Sequence, residues 1–193
     1  MSRSGTASAP HRMPDPEFTL LGDACWLDFV NTARGRTAAP PDLLPDPGAY
    51  HRWTKAEKLT SDVETVPFAE ILAFRRELIG LGEALRADRQ PPASAIAAIN
   101  ARLAAQPGHE RLVRTAGTWQ VDFAPEQAGA ALDAIARSAA FTLADRTHTV
   151  RQCAADHCSL LFLDASPTQS RRWCSSVVCG GRGRIERRRG LQR

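Results

Sequence analysis

The sequence predicts an α+β protein in which a mostly helical N-terminal domain with a small β-hairpin is followed by a small cysteine-rich module. Three observations support this class. Apolar residues recur at spacings of three and four through most of the first 145 residues, which is typical of amphipathic helices. Residues 111–123 alternate apolar and polar side chains and so favour a hairpin. Four of the five cysteines lie within 27 residues near the C-terminus, which indicates metal ligands.

The chain length limits the architecture to one domain, or one domain with a small appendage, because 193 residues seldom hold more. A content of 43% hydrophobic and 24% charged residues is that of a globular protein. No apolar run reaches the roughly 18 residues of a membrane span, and residues 1–17 lack the apolar core of a signal peptide. We therefore expect a cytoplasmic protein without a membrane partner.

The charge of the chain is distributed unevenly. Residues 1–145 carry 15 basic and 18 acidic residues, which gives −3, whereas residues 146–193 carry 10 basic and three acidic residues, which gives +7. A nearly neutral body joined to a basic module is typical of proteins that bind a polyanion, most often nucleic acid.

The N-terminal domain is predicted over residues 17–148, after a disordered leader at 1–16 that has no apolar period. The spacing of Trp26, Phe29 and Val30 predicts a short helix near residues 24–33. Four prolines between residues 37 and 50 predict a long surface loop, because proline lacks the N–H that regular structure uses. A further short helix is expected over residues 51–59.

Three longer helices and the hairpin complete this domain. The first helix is predicted from Pro67 to about residue 88, since proline suits the first helical turn. The second runs from Pro91 and Pro92 to a stop at Pro107-Gly108. The hairpin follows over residues 111–123 with its turn at Ala116-Gly117, and Pro125 is expected to open the third helix. With an apolar stripe on each helix, we expect this domain to fold without the C-terminal module.

The cysteines of the module have the pattern C-x4-C-x15-C-x4-C, formed by Cys153, Cys158, Cys174 and Cys179. Two pairs of thiolates separated by the length of a hairpin suit tetrahedral zinc. Four cysteine ligands leave no coordination position for substrate, so we expect one structural Zn²⁺ per chain. His157 is interpreted as a neighbour of the site, because thiolate is the better donor and four cysteines are already present.

Residues 149–193 are therefore predicted to form a zinc finger with a basic C-terminal tail. Residues 160–164 are predicted to form a strand, residues 165–168 a turn, and residues 169–173 a return strand. A short helix after the last cysteine would carry that ligand in its first turn, which makes the expected fold treble-clef-like.

The finger is rich in arginine and has no lysine, and arginine forks suit phosphates and guanine edges. The residues predicted to contact nucleic acid are Arg171, Arg172, Arg182, Arg184, Arg187, Arg188 and Arg189. Two other interpretations stay open for these charges. A basic run at a chain terminus is often only a solvated tail, and a four-thiolate zinc centre of net charge −2 needs some arginines beside it.

The N-terminal domain offers one weak candidate site, at Asp28 and Asn31 on the first helix. These side chains would either line a ligand pocket or serve as a helix cap or a buried hydrogen bond. Cys25 is interpreted as a small buried apolar residue. The histidines are far apart in the sequence and no phosphate-binding glycine loop is present, so we expect that the protein is not an enzyme.

The sequence resembles a known pair of modules. Leu161-Phe162, Asp164, Ser166 and the run 170–174 (SRRWC), together with the cysteine pairs, resemble the CGNR zinc finger, and residues 27–32 (LDFVNT) resemble the ABATE domain that precedes it. The resemblance implies a bacterial, stress-related transcriptional regulator with a zinc-bound DNA-binding module and an N-terminal domain for sensing or association. The Cys-Gly-Asn-Arg of that family is Cys-Gly-Gly-Arg here, with Gly181 in place of asparagine.

We therefore expect a DNA-binding transcriptional regulator whose partners are double-stranded DNA, a small-molecule effector and a second copy in a homodimer. The alternative is a zinc-stabilised adaptor that binds protein or RNA without enzymatic activity. An enzyme with its chemistry in the N-terminal domain ranks last, because the sequence shows no catalytic constellation.

Overall fold

The computed structural model describes residues 17–35, 40–62, 64–105, 107–115, 117–126, 130–145 and 147–181. The predicted leader at 1–16 and the arginines from residue 182 onward lie outside the described residues. The elements are α1 Cys25–Asn31, α2 Pro47–Ala56, α3 Phe68–Arg86, α4 Ala93–Ala105, β1 Gly108–Thr115, β2 Thr118–Pro125, α5 Ala131–Ala144, β3 Thr149–Gln152 and β4 Leu161–Asp164. This order confirms the α+β class. Within these residues, none of the helices combines the length and the apolar character needed to span a bilayer.

Helix α1 lies at the centre of the N-terminal part because six of its seven residues are buried. It packs against α3 and α5. Its Phe29 ring also meets Trp53 of α2 at a centroid distance of 5.2 Å. The indole Nε1 of Trp26 donates to Thr142 Oγ1 of α5 at 2.9 Å, which satisfies the polar atom of an otherwise buried ring. The apolar spacing that predicted this helix therefore reflects burial around its whole circumference.

Helix α2 begins four residues before the predicted start, so the predicted loop was too long at this end. Asp46 is the N-cap and accepts a hydrogen bond from the Ala49 backbone N–H at 2.8 Å. Pro47 fits the first turn, where its missing N–H has no partner to lose. The four prolines were interpreted together as loop, whereas the Asp-Pro pair is a helix start.

Helix α5 begins at Ala131, and the prediction that Pro125 opens it was wrong. Pro125 ends β2 opposite Gly108. The first turn of α5 is instead held by a distant residue, since Asp62 accepts a hydrogen bond from the Leu132 N–H at 3.1 Å and another from the Tyr50 hydroxyl at 2.7 Å. Burial, reinforced by this contact with Asp62, raises the pKa of Tyr50 above its ordinary value.

The hairpin and the helices α3 and α4 confirm the predictions. Strands β1 and β2 pair antiparallel, with Leu112 opposite Val121, and Gly117 in the turn adopts a φ of +86° that favours glycine. Helix α3 starts directly after Pro67, as expected for proline at a helix entrance.

The strand pairing of the C-terminal part differs from the prediction. Strand β4 pairs antiparallel with β3, which precedes the first cysteine, with Thr149 opposite Asp164. Residues 169–173 form no strand, so the predicted return strand was wrong. The buried Asp164 explains the difference, because its carboxylate accepts from the Ser166 N–H at 3.0 Å and from the Arg171 N–H at 3.0 Å and so holds the chain in a turn.

The two parts of the chain share one hydrophobic interior. Side chains alternate along residues 160–162, so Leu161 of β4 lies in the main core, whereas Leu160 and Phe162 pack around the four cysteines. Val150 of β3 also belongs to the main core. Gly82 of α3 lies so close to β4 that an added Cβ would meet Leu161 Cδ1 at 2.7 Å. Strand β4 therefore lies between the helical core and the cysteine cluster and packs against both.

Candidate metal centre and nucleic-acid interface

The four predicted ligands form a single buried cluster. The Sγ atoms of Cys153, Cys158, Cys174 and Cys179 all lie within 4.8 Å of one another. Cys158 Sγ and Cys174 Sγ are 3.9 Å apart, and Cys174 Sγ and Cys179 Sγ are 3.6 Å apart. A tetrahedral zinc site with bonds of about 2.3 Å requires sulfur separations of about 3.8 Å. The cluster can therefore hold one zinc ion, whereas His157 is exposed and stands outside it.

The first cysteine pair is positioned by a turn anchored to β4. The Cys153 N–H donates to the Leu160 carbonyl at 2.9 Å, and the Cys158 N–H donates back to the Ala155 carbonyl at 2.9 Å. The Ala154 N–H donates to the Arg172 carbonyl at 2.8 Å, which ties this turn to the segment that leads into the second pair.

The second pair stands on a turn that leads into a helical segment at residues 179–181. The Ser175 hydroxyl accepts from the Val178 N–H at 3.1 Å, and the Ser175 carbonyl accepts from the Cys179 N–H at 3.1 Å. The last ligand thus opens the helical segment, as a treble-clef-like finger requires. Gly180 packs under the Trp173 ring, because an added Cβ would lie 3.4 Å from it.

Ionisation of one thiol of the cluster opposes ionisation of its neighbours. Hydrogen bonds from the Cys158 and Cys174 thiols lower the pKa of Cys153 to about 2. Hydrogen bonding to Cys153 in turn raises the pKa of Cys158 to about 12 and raises that of Cys174 as well. Zinc binding must therefore release protons from Cys158 and Cys174.

Arg171 supports the second pair from outside. Its guanidinium donates to the Trp173 carbonyl at 2.8 Å and also to the Cys174 carbonyl, and it forms an ion pair with Asp23. It lies over the Phe162 ring, 4.5 Å from the centroid. This cation is thus placed beside a centre that carries net charge −2 when four thiolates hold Zn²⁺.

Asp164 is the second support and is fully buried. Arg151 Nε lies 3.0 Å from its Oδ2. Burial raises the pKa of this carboxyl, but hydrogen bonds from Ser166 and the Arg171 backbone, together with the charge of Arg151, outweigh burial and hold the pKa below its ordinary value. The residue is therefore an ionised hydrogen-bond acceptor that organises the turn between the two cysteine pairs.

Two family models match the chain, one on each side of residue 147. Residues 23–146 match the model described as "ABATE: Putative stress-induced transcription regulator", and residues 149–190 match the CGNR zinc finger. The chain belongs to the ABATE family. A search among curated proteins found none that matches it. Below, residues 23–146 are called the ABATE segment and residues 149–190 the CGNR finger.

The predicted nucleic-acid residues of the CGNR finger divide into three groups. Arg172 is exposed and lies over the Trp173 ring, 5.5 Å from the centroid, so its fork is available to a ligand. Arg171 is partly buried and holds the partners described above, which makes it a structural partner of the metal centre. The others, Arg182, Arg184, Arg187, Arg188 and Arg189, lie outside the described residues.

Asp28 and Asn31 of the ABATE segment make buried hydrogen bonds. Asp28 Oδ1 accepts from the Gly22 N–H at 2.7 Å. Asn31 Nδ2 donates to the Leu161 carbonyl at 2.8 Å, and its Oδ1 accepts from the Leu161 N–H at 2.9 Å. Of the two interpretations left open by the sequence, the structure therefore shows the internal hydrogen bond. Neither side chain lines the open cleft of about 520 Å³ between α5, the start of α1 and β4.

Sequence reasoning missed the roles of Asp164 and Ser175, and it proposed a buried hydrogen bond for Asn31 without its partner. Asp164 and Ser166 form an Asp-x-Ser pair, which is a local turn signal that could have revealed the first role. The bonds of Asn31 to β4 join residues 130 positions apart, and nothing in the local sequence announces them.

We predict that Gly181→Asn is accepted by the CGNR finger. A Cβ at this position meets nothing within 4 Å among the described residues. Zinc content and melting temperature should therefore equal those of the parent, as measured by elemental analysis and calorimetry. Gly180→Asn is the contrasting variant, because its Cβ would already be in contact with the Trp173 ring at 3.4 Å and the amide beyond it needs further space. A loss of zinc in Gly181→Asn equal to that in Gly180→Asn would contradict this geometry.

Proposed function

We propose that this protein is a DNA-binding transcriptional regulator whose CGNR finger contacts duplex DNA. The observation that carries the proposal is that the positive charge of the finger lies directly beside its metal-binding cysteines. Residues 146–193 have a net charge of +7, and the arginines from residue 182 onward follow the last metal ligand by only a few positions. A basic segment attached to a rigid zinc scaffold is a suitable means of holding guanidinium groups against a phosphate backbone.

The described part of the finger supports this division of roles. Arg171 and Arg151 face the metal turn and Asp164, so they offset internal negative charge. Arg172 is exposed and directly precedes Trp173 and the second cysteine pair. The bidentate contact of an arginine fork to guanine is a common form of base recognition, and a fixed backbone favours it.

We assign sensing or association, without catalysis, to the ABATE segment. The cleft of about 520 Å³ is lined by residues of α5 and by His148 and Leu163 of the C-terminal part. A small molecule held there would contact both family segments at once. The proposal implies a cytoplasmic site of action, since that compartment holds bacterial DNA, and the family description favours a role under stress.

The second candidate is an adaptor that binds RNA or protein through the same finger. Zinc fingers with four cysteines serve in docking as well as in DNA binding, and basic arginine-rich segments also bind RNA. The preferred nucleic acid distinguishes the two candidates.

We predict that the zinc-loaded full chain binds duplex DNA with a steep dependence on salt. Each neutralised phosphate contributes roughly −0.9 to the slope of log K against log salt, so about five contacts give a slope of about −4 to −5. Fluorescence anisotropy with a short duplex, and with single-stranded RNA of the same sequence, measures both slopes. Tighter binding to the RNA, or a slope near zero on the duplex, would favour the adaptor.

Two neighbouring arginines supply a matched test of the interface. Arg172→Lys keeps the charge but loses the fork, so we expect selection from a random duplex pool to lose about 1–3 kcal/mol of discrimination while the salt slope persists. Arg171→Lys should instead accelerate zinc release to a chelator, because the fork holds the Cys174 carbonyl and Asp23. Arg76→Lys, on the exposed side of α3, is the control. An Arg172→Lys protein that selects the same sequences as the parent excludes Arg172 from base recognition.

A further inference from the structure

The hairpin β1–β2 presents an exposed apolar face. Leu112, Trp119 and Val121 are exposed by 64%, 61% and 65%, which is unusual for large apolar side chains. The register pairs Leu112 with Val121 and Arg114 with Trp119, so all of these side chains share one face of the two-stranded sheet. A sheet of two strands is only marginally stable, and further strands with a common apolar face would stabilise it.

The two outer edges of this hairpin differ. On the β2 side, Arg137 of α5 donates to the Phe123 carbonyl at 3.3 Å and to the Asp122 carboxylate at 3.1 Å. On the β1 side, residues 109–114 make no backbone hydrogen bond except to β2 within the described chain. An edge of this kind is a template for another strand. Strand addition is therefore available at β1.

The charges of β1 favour pairing with a second β1 strand in one antiparallel register. In an antiparallel pair of two β1 strands with Leu112 opposite the partner's Leu112, Glu110 faces the partner's Arg114 on both sides of the two-fold axis. A shift of two residues in one direction sets Arg111 against the partner's Arg111, which is repulsive. A shift of two residues in the other direction leaves neither Glu110 nor Arg114 opposite a residue of opposite charge. A shift of one would turn the partner's apolar face to the other side of the sheet.

We propose that β1 is a homodimerisation edge, at which a second copy of this chain pairs antiparallel with Leu112 on the two-fold axis. The joined hairpins form one sheet of four strands with Leu112, Trp119 and Val121 of both chains on a continuous apolar face. This inference rests on the association role proposed above for the ABATE segment, and it does not depend on DNA binding. The interface is small, so it belongs to the weak and transient class, with dissociation in the micromolar range.

Charge reversal tests the register. We expect Glu110→Arg and Arg114→Glu each to weaken self-association at least about tenfold, because like charges then face each other twice in the dimer. The double variant E110R/R114E should recover parental association. An equimolar mixture of the two single variants should associate more tightly than either alone, since opposite charges meet at both positions. Sedimentation equilibrium of the zinc-loaded full chain, without DNA, measures these constants.

Two further variants separate the interface from general effects of charge. Arg76→Glu makes the same charge change as Arg114→Glu, but on the exposed side of α3, and should leave self-association unchanged. Leu112→Asp should abolish association while the circular dichroism spectrum is retained. A parent that remains monomeric up to millimolar concentration overturns the proposal, and so does a mixture of the two single variants that associates no better than each one. If Arg114→Glu lowers DNA affinity while association stays at the parental value, the hairpin is a DNA contact and the dimer edge is refuted.

Discussion

Removal of zinc is expected to destabilise the ABATE segment as well as to unfold the CGNR finger. Metal binding supplies roughly 10–16 kcal/mol of apparent free energy to small zinc modules. Phe162 of β4 and the preceding Leu160 pack on the cysteine cluster, whereas Leu161 of β4 packs in the main core, so a displacement of this strand disturbs both clusters. Exposure of Val150 and Leu161 lowers the free energy of unfolding of the helical part by about 1.5–3 kcal/mol for each side chain. We therefore expect the melting temperature of the helical part to fall by at least about 10 °C.

Hydrogen exchange resolves this effect by element. The backbone amides of α1 and α3 should exchange faster after chelation under reducing conditions, whereas amides in the tip of the hairpin should be unaffected. Restoring zinc should restore protection. Equal protection of α1 and α3 with and without metal would show two independent units, which is the behaviour expected from the sequence alone.

Replacement of Asn31 is expected to have the second largest effect. In Asn31→Ala the N–H and the carbonyl of Leu161 both lose their partner in a buried position. An unsatisfied buried polar group costs about 1–3 kcal/mol, so the free energy of unfolding should fall by about 2–4 kcal/mol. Because Leu161 directly follows Leu160, whose carbonyl binds the Cys153 N–H, zinc release to a chelator should also accelerate.

Denaturant titration and a chromogenic chelator measure the two effects. Asn100→Ala, at an exposed position of α4, is the matched control and should change neither. Asn31→Asp is the informative companion, because it keeps the acceptor for the Leu161 N–H and places a carboxylate against the Leu161 carbonyl. We expect it to be at least as unstable as the alanine variant. Unchanged zinc release in both Asn31 variants would show that the ABATE segment and the metal site are not coupled through this residue.

The sequence by itself determined the metal ligands and most of the helices. Thiolate chemistry and cysteine spacing are local properties, so Cys153 and its three partners were predictable without coordinates. The apolar periodicity of α3 and α4 and the alternation of β1 and β2 are local in the same way. The resemblance of the finger motif and of residues 27–32 extended this to the family, which the matches over both segments confirm.

Only the tertiary structure decided how these parts are joined. The start of α5 depends on Asp62, which lies 70 positions before Leu132 in the sequence. Strand β4 pairs with β3 instead of the segment at 169–173, because a buried Asp164 holds that segment in a turn. Asn31 binds β4 across 130 residues, and Arg171, which the sequence predicts to contact DNA, bonds to Asp23 and to the Cys174 carbonyl. The contacts of Asp62, Asp164 and Asn31 each satisfy polar groups that are buried in the fold. The local sequence does not show which polar groups will be buried together.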